Sequence, residues 1–425
     1  MKEKKENKIS RRNFMQTIGS AGLAIGLSGM AGRAMAAGVK PKQLKVEMPR
    51  DANGKIIPGF DKTGKVVAAG SKPWKPYSDR KVRVGIAGFG LCQFGAQFSF
   101  QTSPNVEVVA VTDLDPGRCA GLAKACNCKK TYPSCEEMIK KGKNIEAVFI
   151  ATDAPSHARL AAMALNHGKH AATAVPAVFG FNAEKDAELL FNAVKKSGKK
   201  YMMFETSYYH DDCYAWRQEY KAGALGKLIY SEGEYYHYSP DLLGGYNPKT
   251  GNIDTNGWRK GVPPMWYPTH ATAYYIGVTG KRFTDVSCLG MKSIIKLFML
   301  GNNDYNNPFG TEVALLRTSE GGMSRMAVGW DMPNAHGEAG RVYGQKIGNK
   351  PLVNTKKPQL PPGVHAGGHG GSHGYLMDNY IRSIILDKKP EVDICDALNM
   401  TLAGVIAHKS ALKNGKWMKI PQYKL

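Results

Sequence analysis

The residues best suited to proton transfer in this sequence begin with the stretch YPTH, which ends at His270. A histidine has an ordinary pKa near 6.5, so His270 can accept or donate a proton near neutral pH. Tyr267 and Tyr209 are further candidates, as anchors or, if neighbouring cations lower their pKa, as acid–base groups. Arg259 and His237 lie in the same region of the sequence and could hold a polar substrate. These residue types predict a site for acid–base chemistry.

A second group of residues has the spacing of a dinucleotide-binding turn. Gly88-Phe89-Gly90 follows a run typical of a buried strand and precedes a helical pattern. Gly88 permits the tight turn, and Gly90 lets a pyrophosphate approach free backbone N–H groups. Because Gln93 stands where the third glycine of this fingerprint is expected, the turn alone is a weak signal.

The stronger cofactor signal is Asp113, which ends the next predicted strand 25 residues after Gly88. A carboxylate at this place accepts hydrogen bonds from ribose hydroxyls and repels a 2′-phosphate, which favours NAD over NADP. The alternative is that Asp113 only caps the helix that follows it. We therefore expect NAD as the cofactor.

The segment VHAGGHGGSHG spaces His365, His369 and His373 four residues apart. On a helix this spacing would align them as metal ligands, but five glycines in eleven residues disfavour a helix. No carboxylate completes the set before Asp378. We expect no metal, and instead a glycine-rich loop near the substrate or nicotinamide in which His369 or His373 forms a hydrogen bond.

Alternating strand and helix patterns must position these residues. The strand-like runs are KVRVGIAG, VEVVAVTD, EAVFIAT, KHAATAV and KYMMFET. The helical patterns between them are Leu91 to Gln101, Arg118 to Cys126, His157 to His167 and Asn182 to Ser197. This alternation predicts an α/β fold with a doubly wound parallel sheet, a Rossmann domain at residues 80–206.

After Leu228 the pattern changes to longer strands. The runs IYSEGEYYHY, FTDVSCLGMKS, TEVALLRTS and MSRMAVGW predict a second α+β domain with a mostly antiparallel open sheet. Helical patterns follow at Tyr375 to Leu386 and at Ile394 to Asn414. We therefore place a substrate domain at residues 207–392, and a C-terminal helix and tail at residues 393–425 that pack back on the body.

The first residues have the features of an export signal. Arg11 and Arg12 precede a mildly apolar, glycine-rich run from Ile18 to Met30, and AMA at 34–36 is typical of a cleavage site. This pattern predicts a twin-arginine signal peptide at residues 1–36 and a periplasmic location, by a route that carries folded proteins. The alternatives are a disordered tail and a membrane anchor, but the run is short for a bilayer span. Residues 37–79 predict an extended arm or linker.

Composition excludes several classes of function. The chain of 425 residues is 43% apolar and 22% charged, with a net charge of +23. Because the lysines are scattered and no aromatic RNA-binding motif is present, we expect no nucleic-acid partner, and no stable membrane insertion. The eight cysteines lack a zinc-binding spacing, and disulfides and buried thiols both remain open.

From about Lys81 to Pro421 the sequence resembles the glucose–fructose oxidoreductase and inositol dehydrogenase superfamily (Gfo/Idh/MocA). The resemblance is carried by GIAGFG, VTDLDP, FIATDAPSHARLAAMALNHGKH and DNYIRSIILDKKPEVDICDAL. It implies a tightly held NAD and a homodimer formed through the open sheet. The residues that it implies for NAD binding are Gly88, Phe89, Gly90, Gln93, Asp113, Thr152, His157, Val175 and Pro176.

One departure separates the chain from the dehydrogenases of this superfamily. They usually carry Glu-Lys-Pro after the fourth strand, where this sequence has Ala174-Val175-Pro176 and so lacks the proton-moving lysine. The chain resembles instead the NAD-dependent glycosidases of the α-N-acetylgalactosaminidase type. It shares their VPA at 175–177, their MMxE strand followed by Tyr209, their YPTH and their GHGG, although Ala174 replaces the glutamate that they keep.

The glycosidase resemblance implies a mechanism and a role for each candidate residue. The sugar is oxidised transiently at carbon 3, the group on carbon 1 is eliminated, water adds, and the hydride returns. His270 would take the proton of the 3-hydroxyl, and Tyr209 and Tyr267 would act at carbon 2 or as anchors. Arg259, His237 and His369 would bind the glycoside or oligosaccharide.

Two other functions stay open at this point. The first is an oxidoreductase that makes a 3-keto-glycoside and passes the hydride to another sugar. The second is a sugar-binding protein without activity, against which Gly88, Gly90 and Asp113 argue. A tyrosine in a tyrosine-rich strand such as EYYHY is also more often a packing residue than a catalytic one.

Overall fold

The computed structural model describes residues 52–54, 72–238, 246–247, 252–253, 257–293, 303–332, 336–346, 348, 351 and 355–425. The predicted signal peptide and most of the predicted arm lie outside the described residues. Across the described ranges, no helix is both long enough and apolar enough to cross a membrane.

A fully parallel six-stranded sheet forms the first domain, in the order β3-β2-β1-β4-β5-β6. Its strands are β1 (Val82–Ala87), β2 (Val106–Thr112), β3 (Thr131–Tyr132), β4 (Ala147–Ile150), β5 (His170–Thr173) and β6 (Tyr201–Met203). The order reverses between β1 and β4, and sheets of this kind bind ligands in the crevice at the carboxyl ends of those strands. The predicted Rossmann arrangement is confirmed.

Helices connect these strands largely where the sequence predicts them. They are α1 (Phe94–Gln97), α2 (Pro116–Ala125), α3 (Cys135–Lys141), α4 (His157–Asn166) and α5 (Ala183–Ser197). The helix predicted at Leu91 to Gln101 is wrong in length, because α1 has only four residues. Gln93 and Ser99 adopt left-handed backbone conformations with φ of 50° and 61°, through which a right-handed helix cannot continue.

A mostly antiparallel six-stranded sheet forms the second domain, as predicted, in the order β13-β7-β12-β11-β10-β14. Its strands are β7 (Leu228–His237), β10 (Phe283–Lys292), β11 (Phe309–Thr318), β12 (Met323–Gly329), β13 (His336–Gly344) and β14 (Met418–Lys419), and β8 (Tyr246–Asn247) pairs separately with β9 (Asn252–Ile253). Only β7 and β12 pair in parallel within this sheet.

Four longer helices follow in the described part of the chain. They are α6 (Asp211–Lys221), α7 (Thr269–Thr279), α8 (His373–Ile385) and α9 (Ile394–Ala411). Helices α7 and α9 pack on the inner face of the second sheet, and α9 is buried along nearly its whole length. Side chains along β11 alternate between that core and the outside, with Ala314 and Leu316 buried and Val313 and Leu315 exposed. All eight cysteines are described, and none of them is paired.

Candidate active site

His270 lies in the first turn of α7 and is held by two carboxylates. Its Nδ1 is 2.8 Å from Glu205 Oε1 and 3.6 Å from Glu338 Oε2. All three side chains are almost fully buried, with side-chain exposures of 5%, 0% and 7%. The sequence suggested a turn around Pro268 and Thr269, whereas the structure begins a helix there. The rigid helix leaves Nε2 as the ring nitrogen available to a ligand.

The two carboxylates change the protonation of His270. Burial alone lowers the pKa of the imidazole, but the negative charges of Glu205 and Glu338 outweigh it and raise the pKa to about 9. The same pairing acts on Glu338: burial raises its pKa, yet His270 and His210 bring the net pKa below the ordinary value. In the free protein at neutral pH, His270 is therefore a cation beside an ionised Glu338.

Glu338 belongs to a wider hydrogen-bonded group. It accepts a hydrogen bond from the Ser207 hydroxyl, and His210 Nε2 lies 3.2 Å from its Oε2. In the register of β7 and β13, Glu338 lies directly opposite Tyr235, so both side chains project from the same face of the sheet. No sequence pattern marks Glu338 or Tyr235 as part of a site. The only sequence signal near this group is the glutamate of the MMxE run, Glu205.

The His270 imidazole opens into an aromatic cavity of about 290 Å³. His237, Arg259, Tyr267, His270 and His369, all predicted from the sequence, line it together. Its aromatic walls are Phe94, Phe204, Tyr235, Trp258, Tyr267 and Trp330. An apolar cavity with a few converging polar groups is typical of a small-molecule site.

Two tyrosines approach His270 inside this cavity. The ring centroids of Tyr235 and Tyr267 lie 4.6 Å and 5.7 Å from that of His270. Burial raises the pKa of both phenols above 10, and the nearby Arg259 guanidinium only partly opposes this. The condition that cations lower the pKa of Tyr267 is therefore not met, and both phenols are protonated at neutral pH.

Tyr209 is not in this cavity, which corrects its predicted role. Its ring stacks nearly parallel to those of Tyr375 and Tyr214, with centroids 5.5 Å and 6.4 Å away, and lines a different cleft. Burial also raises the pKa of its phenol far above the ordinary value. The four residues after Glu205 form one 3₁₀ turn, and this turn directs Glu205 and Tyr209 to different sites.

The predicted substrate-binding residues Arg259 and His369 line the cavity. The Arg259 guanidinium lies 4.2 Å from the centroid of the Trp258 ring. The His369 ring is stacked 6.5 Å from that of His270, and its Nδ1 is 3.0 Å from His373 Nε2. His369 has a φ of 47°, a costly conformation for a residue with a side chain and one that often marks functional sites.

A groove of about 620 Å³ runs along the carboxyl ends of β1, β2 and β4. Gly88 has a φ of 103°, and a Cβ on it would meet the Ala151 carbonyl oxygen at 2.2 Å, so only glycine fits this turn. The Asp113 carboxylate accepts hydrogen bonds from the N–H groups of Phe89 (2.7 Å) and Asp115 (2.9 Å). It thereby holds the turn and still faces the groove with free lone pairs, which fits a dinucleotide.

The other residues predicted to bind the cofactor differ in their position and contacts. Gly90, Gln93, Thr152, His157 and Val175 line the groove with Gly88 and Asp113. His157 is 1% exposed, and its Nδ1 lies 2.9 Å from the Pro176 carbonyl oxygen. Because burial lowers the pKa of His157, the ring is neutral and uses its N–H to fix this loop. Phe89 and Pro176 do not line the groove: the Phe89 N–H donates to Asp113, and the Pro176 carbonyl oxygen contacts His157.

The groove and the aromatic cavity share a wall. Residues that line both are Cys92, Phe94, Val175, Trp258, Arg259 and Tyr267. Val175, the residue for which the sequence resemblance predicted no proton transfer, lies in this wall. A cofactor in the groove and a substrate in the cavity would thus meet at residues that carry no proton-transfer group other than Tyr267 and Cys92.

One group of the described residues has the spacing of metal ligands. Among the described residues, Glu205, His270 and Glu338 each place a ligand atom within 4.8 Å of the others. The contact of 2.8 Å between Glu205 and His270 has the length of a hydrogen bond and explains this grouping without an ion. Of the predicted histidine series, His369 and His373 touch each other and His365 is exposed. The expectation of no metal stays a prediction.

Comparison with known proteins agrees with this geometry. Residues 82–205 match the family described as "Oxidoreductase family, NAD-binding Rossmann fold" (GFO_IDH_MocA). The chain is 32% identical over 169 residues to "Glycosyl hydrolase family 109 protein 1" of Bacteroides fragilis, covering 38% of this chain and 36% of that protein. It is 21% identical to "Glycosyl hydrolase family 109 protein" of Saccharopolyspora erythraea over 99% of this chain and 95% of that one. The strongest of these matches thus spans about a third of the relative's length.

Solved structures support the fold. Myo-inositol dehydrogenase from Lactobacillus casei, in complex with NAD(H) and myo-inositol, superposes with a TM-score of 0.61 at 14% identity, over 81% of this chain and 98% of that one. A levoglucosan dehydrogenase in complex with NADH and levoglucosan gives 0.64 at 16% identity, over 81% and 100%. These likenesses concern the two-domain architecture. Residues 82–205 are thus similar to the Gfo/Idh/MocA oxidoreductase family, and the solved structures share the fold.

Proposed function

We propose that this chain is an NAD-dependent glycoside hydrolase that works through transient oxidation of the sugar at carbon 3. The observation that carries the proposal is the shared wall between the dinucleotide groove and the cavity of His270. A sugar bound in the cavity has aromatic faces to stack on, a histidine backed by carboxylates, and two phenols. The relatives named glycosyl hydrolase family 109 add support at modest identity.

The groove suits NAD. The Gly88 turn leaves room for a pyrophosphate, and the Asp113 carboxylate is placed for ribose hydroxyls. In this groove NAD would supply the acceptor for the hydride of carbon 3 and the donor for the final reduction, with no net change of the cofactor. Asp113 also disfavours a 2′-phosphate through charge repulsion, which is why we propose NAD rather than NADP.

The His270 imidazole receives the proton of the 3-hydroxyl as carbon 3 becomes a ketone. The carboxylates behind it stabilise the resulting imidazolium, as the raised pKa shows. This makes His270 a strong base in its neutral form and a poor one in its protonated form. The reaction therefore speeds up as pH rises towards the pKa of His270.

The ketone acidifies the hydrogen on carbon 2, and we assign its removal to Glu338. Glu338 is the single carboxylate among the described cavity-lining residues, and its pKa is held low by His270 and His210 despite burial. The bond from carbon 1 to the leaving oxygen then breaks, and Tyr235 or Tyr267 supplies the proton that this oxygen needs. Water adds to carbon 1, the proton returns to carbon 2, and the net reaction is hydrolysis.

Hydrolysis is favoured over net oxidation by the residue at position 175. Val175 lies in the shared wall and cannot transfer a proton, so the usual dehydrogenase arrangement is absent from this wall. The second candidate is a sugar 3-oxidoreductase, since His270 with its carboxylates would serve that reaction equally well.

The test is to screen aryl glycosides of both anomers and run the cleaved one in heavy water. The route through a 3-ketone exchanges the proton on carbon 2, so the released sugar should carry deuterium there. Direct displacement by two carboxylates does not touch that carbon. Cleavage without label would reject the mechanism, and accumulation of a 3-keto-glycoside without cleavage would favour the oxidoreductase.

We also propose that the protein is exported in folded form through the twin-arginine route, which suits an enzyme that retains its NAD. Arg11 and Arg12 carry this proposal. Replacing both with lysine should leave the protein in the cytoplasmic fraction, while replacement of Lys4 and Lys5 with arginine, as a control, should not. Normal periplasmic yield of the Arg11→Lys, Arg12→Lys variant would exclude the route.

A further inference from the structure

A second cleft, of about 740 Å³, lies outside the cavity and the dinucleotide groove. It is bounded by the segment 72–75, by α6 and by α8. Tyr209 lines it, whereas His210, the next residue, contacts Glu338 of the cavity network. The cleft is therefore on the other side of the turn that supplies Glu205 and Ser207 to His270 and Glu338.

A series of aromatic rings forms one wall of this cleft. Tyr209 stacks between Tyr375 and Tyr214, with interplanar angles of 20° and 19°. Tyr214, Tyr375 and Trp74 are all only partly buried and face the cleft. Flat, partly exposed rings with a polar tip present apolar faces for the C–H surfaces of a sugar and hydroxyl or N–H groups for its oxygens.

The cleft also has an excess of positive charge. Arg217 is 3% exposed and lies 3.6 Å from the Tyr208 ring centroid, fixed by NH1 hydrogen bonds to the carbonyl oxygens of Tyr208 and Gly277. Lys72, Lys75 and Lys221 are exposed at the rim and pair with no carboxylate that the structure describes.

The two acidic residues of the cleft do not cancel this charge. Asp378 lies 3.9 Å from Arg382, and Glu391 accepts a hydrogen bond from the Tyr208 hydroxyl. Burial raises the pKa of Asp378 to about 6, so part of its charge is lost in mildly acidic solution. The remaining field attracts anions.

We propose that this cleft binds an acidic sugar unit, a uronate residue of a glycan, next to the catalytic cavity. The aromatic wall selects a sugar ring and the lysines select the negative charge; the choice of a sugar over other anions rests on the proposed function. The chain's own residues 55–71 are a poor occupant, because they contain three lysines and one aspartate and would meet like charge.

The experiment is calorimetric titration of the full protein with a short oligogalacturonate and with a maltooligosaccharide of equal length. The Lys221→Gln, Tyr375→Ala double variant tests the cleft. A matched control, Lys413→Gln with Tyr423→Ala, removes an exposed lysine and a partly buried tyrosine far along the sequence. We expect the wild type and the control to bind oligogalacturonate equally, and the cleft variant to bind it at least ten times more weakly.

Each other outcome overturns the proposal. No binding by the wild type, equal binding of the neutral oligosaccharide, or unchanged affinity in the cleft variant would each exclude an acidic-sugar site here. Hydrolysis of a small aryl glycoside is measured on the same proteins, and we expect the cleft variant to keep it. If the protein binds oligogalacturonate through this cleft but cleaves no glycoside, the proposed hydrolase activity is rejected and the proposed acidic-sugar site is retained.

Discussion

Replacing Glu205 with glutamine tests the central claim about His270, because it removes a charge and keeps the shape of the side chain. Glu205 Oε1 is 2.8 Å from His270 Nδ1, and both groups are buried. The pKa of His270 is raised to about 9, and a fall from there to an ordinary value near 6.5 corresponds to about 3 kcal/mol. Since Glu338 still faces the ring at 3.6 Å, we expect the pKa of His270 in Glu205→Gln to lie above that obtained by removing both charges.

The assay is the pH dependence of kcat/KM, which reports ionisations of the free enzyme. A base must be unprotonated, so wild-type activity should rise with pH until about pH 9. In Glu205→Gln, kcat/KM should stop rising at a clearly lower pH. Its maximum value should also be lower, because the base is weaker. Titration of the His270 Cε1–H signal by NMR measures the same pKa without any substrate.

Glu312→Gln is the matched control for this experiment. Glu312 Oε1 is also 2.8 Å from a buried histidine, His408, but neither residue lines the cavity. In this control, kcat/KM should rise with pH as it does in the wild type. If kcat/KM rises with pH in the same way in Glu205→Gln and in the wild type, Glu205 does not set the pKa of His270. A wild-type pKa of His270 near 6.5 by NMR would exclude the effect of both carboxylates.

The same pair makes a stability prediction with a definite sign. Folding raises the pKa of His270 above its unfolded value, so the pairing stabilises the folded chain fully below about pH 6.5. This stabilisation is lost as the pH rises through about 9. The Tm difference between wild type and Glu205→Gln should therefore be largest near pH 6 and small at pH 10.

Three further substitutions address other parts of the site. Asp113→Ala leaves the Phe89 N–H and the ribose hydroxyls without their acceptor, at about 1–3 kcal/mol, so NAD released on denaturing the purified protein should fall at least several-fold. Glu338→Gln should still form NADH with substrate, seen by nicotinamide absorbance, but should lose deuterium exchange at carbon 2. Glu312→Leu leaves the Met265 N–H and the His408 ring buried without an acceptor and should lower the Tm by calorimetry, with no change in the oligogalacturonate affinity.

The sheets could be predicted from sequence because their signals are local. The buried parallel strand β4 is a continuous apolar run, and β1 is one except for Arg83. Strand β11 alternates between buried and exposed residues, so each strand is recognisable within a few residues. The break after the dinucleotide turn could not be predicted in this way. Gln93 and Ser99 take left-handed conformations that glycine usually takes, and contacts of the whole fold impose them.

The catalytic cavity could be predicted only in part, for a similar reason. Tyr267 and His270 are neighbours in one motif, so their proximity is fixed locally. Tyr235 and Glu338 meet because β7 and β13 pair in one register across about a hundred residues of sequence. A register shift of one residue would turn Glu338 away from His270, and no local pattern specifies that register.

Tyr209 matches the sequence motif, but its side chain lies outside the cavity that the motif predicted for it. Glu205 precedes a 3₁₀ turn, Thr206–Tyr209, in which about three residues complete one turn. Residues four apart therefore point in different directions, and while Glu205 faces His270, Tyr209 faces the aromatic cleft. One short turn thus forms the boundary between the two sites. Substitutions at Tyr375 and Lys221, on the far side of the cleft, can consequently test glycan binding while Glu205 and Ser207 keep their hydrogen bonds to the catalytic network.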